Sequence, residues 1–104
     1  LRKIIIESPY AGDTDSNTAY ARAALADSLE RGEAPLVSHL LYTQVLDDLI
    51  PEERAKGIQT GHGWLKHADA MVLYIDLGVS PGMADAMVEA EKRGIPVETR
   101  KINW

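Results

Sequence analysis

Cysteine and phenylalanine are both absent from the 104 residues. Without a thiol there is no disulfide framework, no thiolate nucleophile and no cysteine-type zinc site. Cations are scarce as well: 11 Lys and Arg face 16 Asp and Glu, giving a formal charge of −5. Gripping a phosphate backbone through counterion release needs clustered Lys and Arg, so no nucleic-acid partner is expected. Long apolar runs are missing too. The longest, Ala70 to Ile75, falls far short of the ~20 residues that span a bilayer, and Leu1 to Glu7 is too short for a signal peptide. No membrane partner and a cytoplasmic location are the expectations. The phosphate-loop pattern Gly-x-x-x-x-Gly-Lys-Ser/Thr does not occur, and Gly61-His62-Gly63 lacks both the third glycine and the leading strand of a dinucleotide fingerprint. His39, His62 and His67 are not at i, i+4 spacing, which disfavours a metal site. Neither a metal nor a cofactor is expected.

What is present fits one domain over residues 1–104. The chain is 45% hydrophobic, enough for one buried core and too short for two. Lys3 to Glu7 carries three consecutive Ile and meets Ser8-Pro9-Tyr10-Ala11-Gly12, which reads as a strand buried on both faces and closed by a turn. Ser16 to Gly32, capped by Asp15 or Ser16, repeats Ala21, Leu25 and Leu29 at helical spacing. Ala34 to Ser38 reads as a short second strand. His39 to Ile50 reads as a helix with Leu40, Leu41, Val45, Leu46 and Leu49 on one side, and Pro51-Glu52-Glu53 opens another that runs to near His67. Gly57, Gly61 and Gly63 inside that helix each cost about 1 kcal/mol relative to Ala, implying a close backbone contact or a break. Ala68 to Asp76 is the third strand, Met83 to Arg93 a helix ended by Gly94, and Ile95 to Arg100 the last strand.

Alternation of this kind predicts an α/β fold, a three-layer Rossmann-like (flavodoxin-like) sandwich around a parallel four-stranded sheet of order 2-1-3-4. In that order the chain reverses direction between the first and third strands, so their carboxyl-end loops diverge and leave a crevice. Ser8 to Gly12 and Asp76 to Gly82 are those loops. Asp76, a carboxylate at a strand end, is a candidate to bind ribose hydroxyls or act as an acid or base. Ser8, Tyr10, Gly12 and Asn17 follow the first strand, and His39 follows the second. Ser80, Gly82 and Met83 open a helix whose amino end suits a phosphate or carboxylate. Trp64 is expected in the core.

Taken in order, Ser8-Pro9-Tyr10-Ala11-Gly12, the Ala68-Asp69-Ala70 start of strand three, Ser80-x-Gly82-Met83 and Gly94-Ile95-Pro96-Val97 resemble the nucleoside 2-deoxyribosyltransferase-like superfamily. Including Ser38-His39-Leu40-Leu41-Tyr42-Thr43-Gln44, the whole chain looks like its small phage and bacterial members. The resemblance implies that Tyr10 helps bind a nucleoside, that Asp76 handles base or sugar, and that a Glu on the following helix is the nucleophile. Counted back from Gly94-Ile95-Pro96-Val97, that place falls on Ala86, with Asp85 beside it and Glu89 nearly a turn later. A one-residue shift on a helix rotates a side chain by about 100°.

Two functions follow. One is a nucleoside- or nucleotide-binding protein acting on the N-glycosidic bond, as deoxyribosyltransferase or hydrolase, through Asp76 with Asp85 or Glu89. The other is a non-catalytic module that binds a nucleotide-derived ligand or serves in an assembly. A homo-oligomer is expected in either case, because a four-stranded sheet leaves edges to cover.

Overall fold

The computed structural model describes residues 1–104. Four strands, β1 (Lys3–Glu7), β2 (Ala34–Leu36), β3 (Ala70–Tyr74) and β4 (Val97–Arg100), form one sheet. Their order is β2-β1-β3-β4 and every pairing is parallel. Parallel neighbours require crossovers, and these are made by α1 (Thr14–Glu30), by a pair of helices α2 (Ser38–Leu41) and α3 (Pro51–His62), and by α4 (Pro81–Lys92). The result is the expected three-layer Rossmann-like sandwich.

Alternation along the strands assigns the two faces. Ile4 and Ile6 join Val72 and Tyr74 against Tyr20, Ala21 and Ala24 of α1. Ile5 joins Met71 and Leu73 against Met83, Ala86 and Ala90 of α4 and against Leu65. Both faces of β1 and β3 are therefore dry, which explains their unbroken apolar runs. On α1 the buried stripe is Tyr20, Ala21, Ala24 and Ser28, while Leu29 is exposed. Small residues let this helix lie close to the sheet.

Several element boundaries differ from the sequence reading. Asp13, not Asp15 or Ser16, caps α1, its carboxylate accepting from the Ser16 N–H at 3.2 Å. The expected helix from His39 to Ile50 is broken. Only Ser38–Leu41 is α-helical, Tyr42–Gln44 tightens to a 3-10 turn, and Asp47 then bonds the Leu49 N–H at 2.9 Å. That side chain offers the backbone a turn instead of a helix, and Pro51 forces Ile50 into an extended conformation. Val45 and Leu49, expected on one apolar side, are 82% and 91% exposed. The helix opened by Pro51 stops at His62 with Gly63 as its cap. Trp64 is a surface residue, 48% exposed, whose indole N–H donates to the Tyr42 hydroxyl at 2.7 Å. Leu65 takes the core position instead.

Candidate functional site

At the carboxyl end of β1 the sequence Glu7-Ser8-Pro9-Tyr10 leaves the sheet. Ser8 is buried and its Oγ lies 3.0 Å from Nε2 of His39, in the first turn of α2. Desolvation holds the His39 imidazole neutral, lowering its pKa to about 4 against a smaller opposing pull from Asp48. The Tyr10 ring packs on that of His39, with centroids 5.5 Å apart and planes at 38°. Two aromatic rings thus form a platform at the mouth of the sheet.

The loop carrying Tyr10 is fixed from behind. The Asn17 amide donates to the Tyr10 and Ala11 carbonyls at 3.0 and 3.1 Å. Gly12 sits at φ +98°, a conformation that L side chains rarely adopt. Both residues shape the loop, and neither lines the cavity beside it.

That cavity holds about 390 Å³, within the range of small-molecule sites. Glu7, Ser8, Tyr10 and His39 line one side and Ser80, Gly82, Met83 and Asp85 the other, with α3 covering it. Ser80 caps α4: its Oγ accepts from the Met83 N–H at 3.2 Å and its carbonyl accepts from Ala84 at 3.0 Å. Pro81 has no N–H. Gly82 alone in this first turn keeps a free backbone donor, so the helix end offers less to an anion than its sequence implied. The charge of the lining points the same way. Even with Glu7 left out, Asp48, Glu53 and Asp85 face a single Arg54, and Arg54 is already paired with Asp48 at 2.9 Å.

Asp76 is placed elsewhere. It shares the face of Val72 and Tyr74, and its carboxylate accepts from the Tyr20 hydroxyl at 2.6 Å and from the Ile102 and Trp104 N–H groups at 2.9 and 3.2 Å. Desolvation pushes its pKa up, but these hydrogen bonds prevail and hold it at about 2. Asp76 ties the segment after β4 to α1, and it does not line the cavity. Glu89 lies outside it as well, bonded to Arg93 at 3.0 Å and held low in pKa by that bond. Of the three candidate carboxylates only Asp85 reaches the crevice.

Glu7 was not anticipated. It ends an apolar strand beside the crevice, the same signal that drew attention to Asp76. Desolvation raises its pKa to about 7. A Ser–His pair also suggests acyl transfer, but a buried Ser8 and an imidazole this weakly basic make a poor nucleophile and base.

The topology and this switch-point cavity define a Rossmann-like α/β domain with a small-molecule-sized cleft. Among solved structures, the 2-desoxiribosyltransferase from Leishmania mexicana matches 99% of this chain at a TM-score of 0.62 and 18% identity. This chain spans 66% of that one. Residues 2–100 match the family described as Domain of unknown function (DUF7768), and the chain belongs to that family. No curated protein matches.

Proposed function

We propose that the protein binds a nucleoside in this crevice and acts on its N-glycosidic bond, as a hydrolase or a deoxyribosyltransferase. The observation that carries the reading is the cavity itself: an aromatic platform, Tyr10 on His39, opposite the amino-terminal half of α4, whose second turn carries Asp85. The fold shared with the Leishmania enzyme supports it. In this reading the base stacks on Tyr10, neutral His39 hydrogen-bonds the ligand without repelling or attracting charge, and Ser80 and Gly82 meet sugar hydroxyls. Asp85 brings a carboxylate to the anomeric side. An acidic lining and a nearly spent helix end favour an uncharged nucleoside over its phosphate.

The test is incubation with matched nucleosides and 5′-monophosphates, reading released base and thermal shift together. Base release from the nucleoside, with weaker engagement of the phosphate, is the expected result. Tyr10→Ala should weaken nucleoside binding about tenfold, as loss of one stacking contact does. A thermal shift without released base would favour the non-catalytic binding module. No shift and no release with any nucleoside would remove the reading.

The same reading takes the protein as a cytoplasmic homo-oligomer. A chain without cysteine is compatible with a reducing compartment, and exposed Leu41, Val45, Leu49 and Ile50 offer apolar surface beside the cavity. Sedimentation of the wild type against Val45→Asp tests it; a monomer in both rejects it.

A further inference from the structure

We propose that Glu7 is the general acid of the crevice, a neutral carboxylic acid that protonates the departing nucleobase. The proposal rests on the nucleoside reading above.

Strand parity sets its direction. Ile4 and Ile6 face α1 and Ile5 faces α4, so Glu7, two residues on from Ile5, projects to the α4 side where the cavity lies. The carboxyl group forms no hydrogen bond and no ion pair. No fully buried side-chain oxygen or nitrogen in the protein lacks a partner, so neither Glu7 oxygen is sealed in the core, and Glu7 lines the cavity. Two of the other acids there are engaged, Asp48 by Arg54 and Glu53 by the Asp47 N–H at 3.0 Å, which leaves Asp85 of α4 as the second unpaired carboxyl of the cavity. The groups around the cavity are Tyr10 from the β1 loop, His39 from α2, Tyr42 and Asp48 from the connection, Glu53, Arg54 and His62 from α3, and Asp85 from α4. None of them pairs with Glu7. A desolvated carboxyl with no cation paired to it holds its proton toward neutral pH, and its pKa of about 7 keeps about half of it in the acid form there.

The chemistry closes in two strokes. The Glu7 O–H gives its proton to a ring nitrogen of the base as the C1′–N bond breaks, and the bonding pair leaves with the base. Water adds to C1′ and passes a proton to the Asp85 carboxylate, from which solvent returns it to Glu7. Base and free sugar are the products, with no change of oxidation state. In a transfer reaction a second base takes the place of water.

The experiment compares wild type, Glu7→Gln and Glu7→Asp on a natural nucleoside and on the 4-nitrophenyl glycoside of the same sugar, whose leaving group needs no proton. Nucleoside affinity and a pH profile are measured alongside. Expected for E7Q is a 10²–10⁴-fold loss of kcat on the nucleoside, affinity within threefold of wild type by about the accuracy of the titration, and near-equal cleavage of the nitrophenyl substrate. The wild-type rate should fall above pH ~7, and E7D should move that limb. E7Q at wild-type rate overturns the role of Glu7 and leaves the nucleoside reading standing. Equal losses on both substrates also overturn it, since an acid acts only on the poor leaving group. Wild type that binds without releasing base overturns the acid and keeps binding; wild type that does neither overturns both. If E7Q does not fold, E7D decides by the same substrate comparison.

Discussion

Glu7 and His39 line the same cavity and are both pushed toward their uncharged forms by desolvation, but their effects on stability run in opposite directions with pH. Glu7 has its pKa raised from 4.5 to about 7. The folded state binds the extra proton, so stability declines as pH rises above the unfolded value and the full penalty is present above the folded one. At about 1.4 kcal/mol per pKa unit, that penalty is about 3 kcal/mol. His39 has its pKa lowered from 6.5 to about 4, so its penalty appears as pH falls below 6.5 and is complete below about 4. Between 4.5 and 6.5 the two slopes nearly cancel. Glu7→Gln is therefore expected to stabilise the protein at pH 8 by about 2–3 kcal/mol and to expose the rise in stability with pH that His39 contributes. Urea melts at pH 4, 6 and 8 check both parts; equal stability of E7Q and wild type at pH 8 would refute them. Asp76 calls for the opposite experiment. Asp76→Ala should loosen the segment from Ile102 to Trp104, seen as faster amide exchange there and a lower melting temperature, while nucleoside affinity stays unchanged. Tyr20, which both donates to Asp76 and packs edge-on against Trp104 at 5.5 Å, should loosen the same segment when changed to Phe.

Among the elements, α3 shows how far the sequence could be read. Its glycines announced a close contact or a break, and both occur. A Cβ on Gly57 would meet only Leu46 Cδ1, at an ordinary 3.5 Å. A Cβ on Gly61 would lie 3.1 Å from Ser38 Cβ and 3.2 Å from its Oγ, and Gly63 caps the helix. Gly57→Ala is expected to gain about 0.5–1 kcal/mol of helix propensity. Gly61→Ala presses on α2, whose His39 is held by Ser8, and should be about 1–2 kcal/mol less stable than G57A. Chemical denaturation of the pair measures the difference, and a more stable G61A would contradict the packing. The strands were legible because double burial writes itself as unbroken apolar runs, and their order followed from crossover rules. The helix after β2 was not. Leu40, Leu41, Val45 and Leu49 have helical spacing, and only the turn at Asp47 and the proline after Ile50 break it. The crevice was legible from topology, whereas the carboxylate within it was not. Asp76 and Glu7 both end buried strands, and the difference lies in parity: Asp76 follows Tyr74 toward α1, Glu7 follows Ile5 toward α4. Which face held the cavity depended on where α2 and α3 pack, and that is a tertiary outcome.

Across the whole molecule, one polar network spans the α1 face from margin to margin. Arg100 of β4 makes two hydrogen bonds of 2.7 Å to Glu33, just before β2, and a third of 3.1 Å to the Tyr74 hydroxyl. Tyr74 in turn donates to Asp27 at 2.8 Å, and Ser28 donates to Glu33 at 2.9 Å. The Arg100 and Glu33 side chains are only 10% and 9% exposed. Arg100 lowers the Glu33 pKa from 4.5 to about 2, against the pull of desolvation. This contribution is present above pH 4.5 and is lost as pH falls toward 2, in contrast to Glu7. Removing Arg100 leaves the buried Glu33 a single cation, Arg2, at a longer, more exposed contact of 3.3 Å, so Arg100→Ala should cost about 2–3 kcal/mol. A loss below 1 kcal/mol would show the pair to be solvated.

The strands at the two ends of that bond, β2 and β4, are the outer ones of the sheet. A sheet clasped in this way cannot fray from one side alone. Amide protons of Ala34, Leu36 and Val97–Arg100 should exchange through a shared opening, and cutting the clasp at Arg100 should let the β4 side unzip while β2 stays shut.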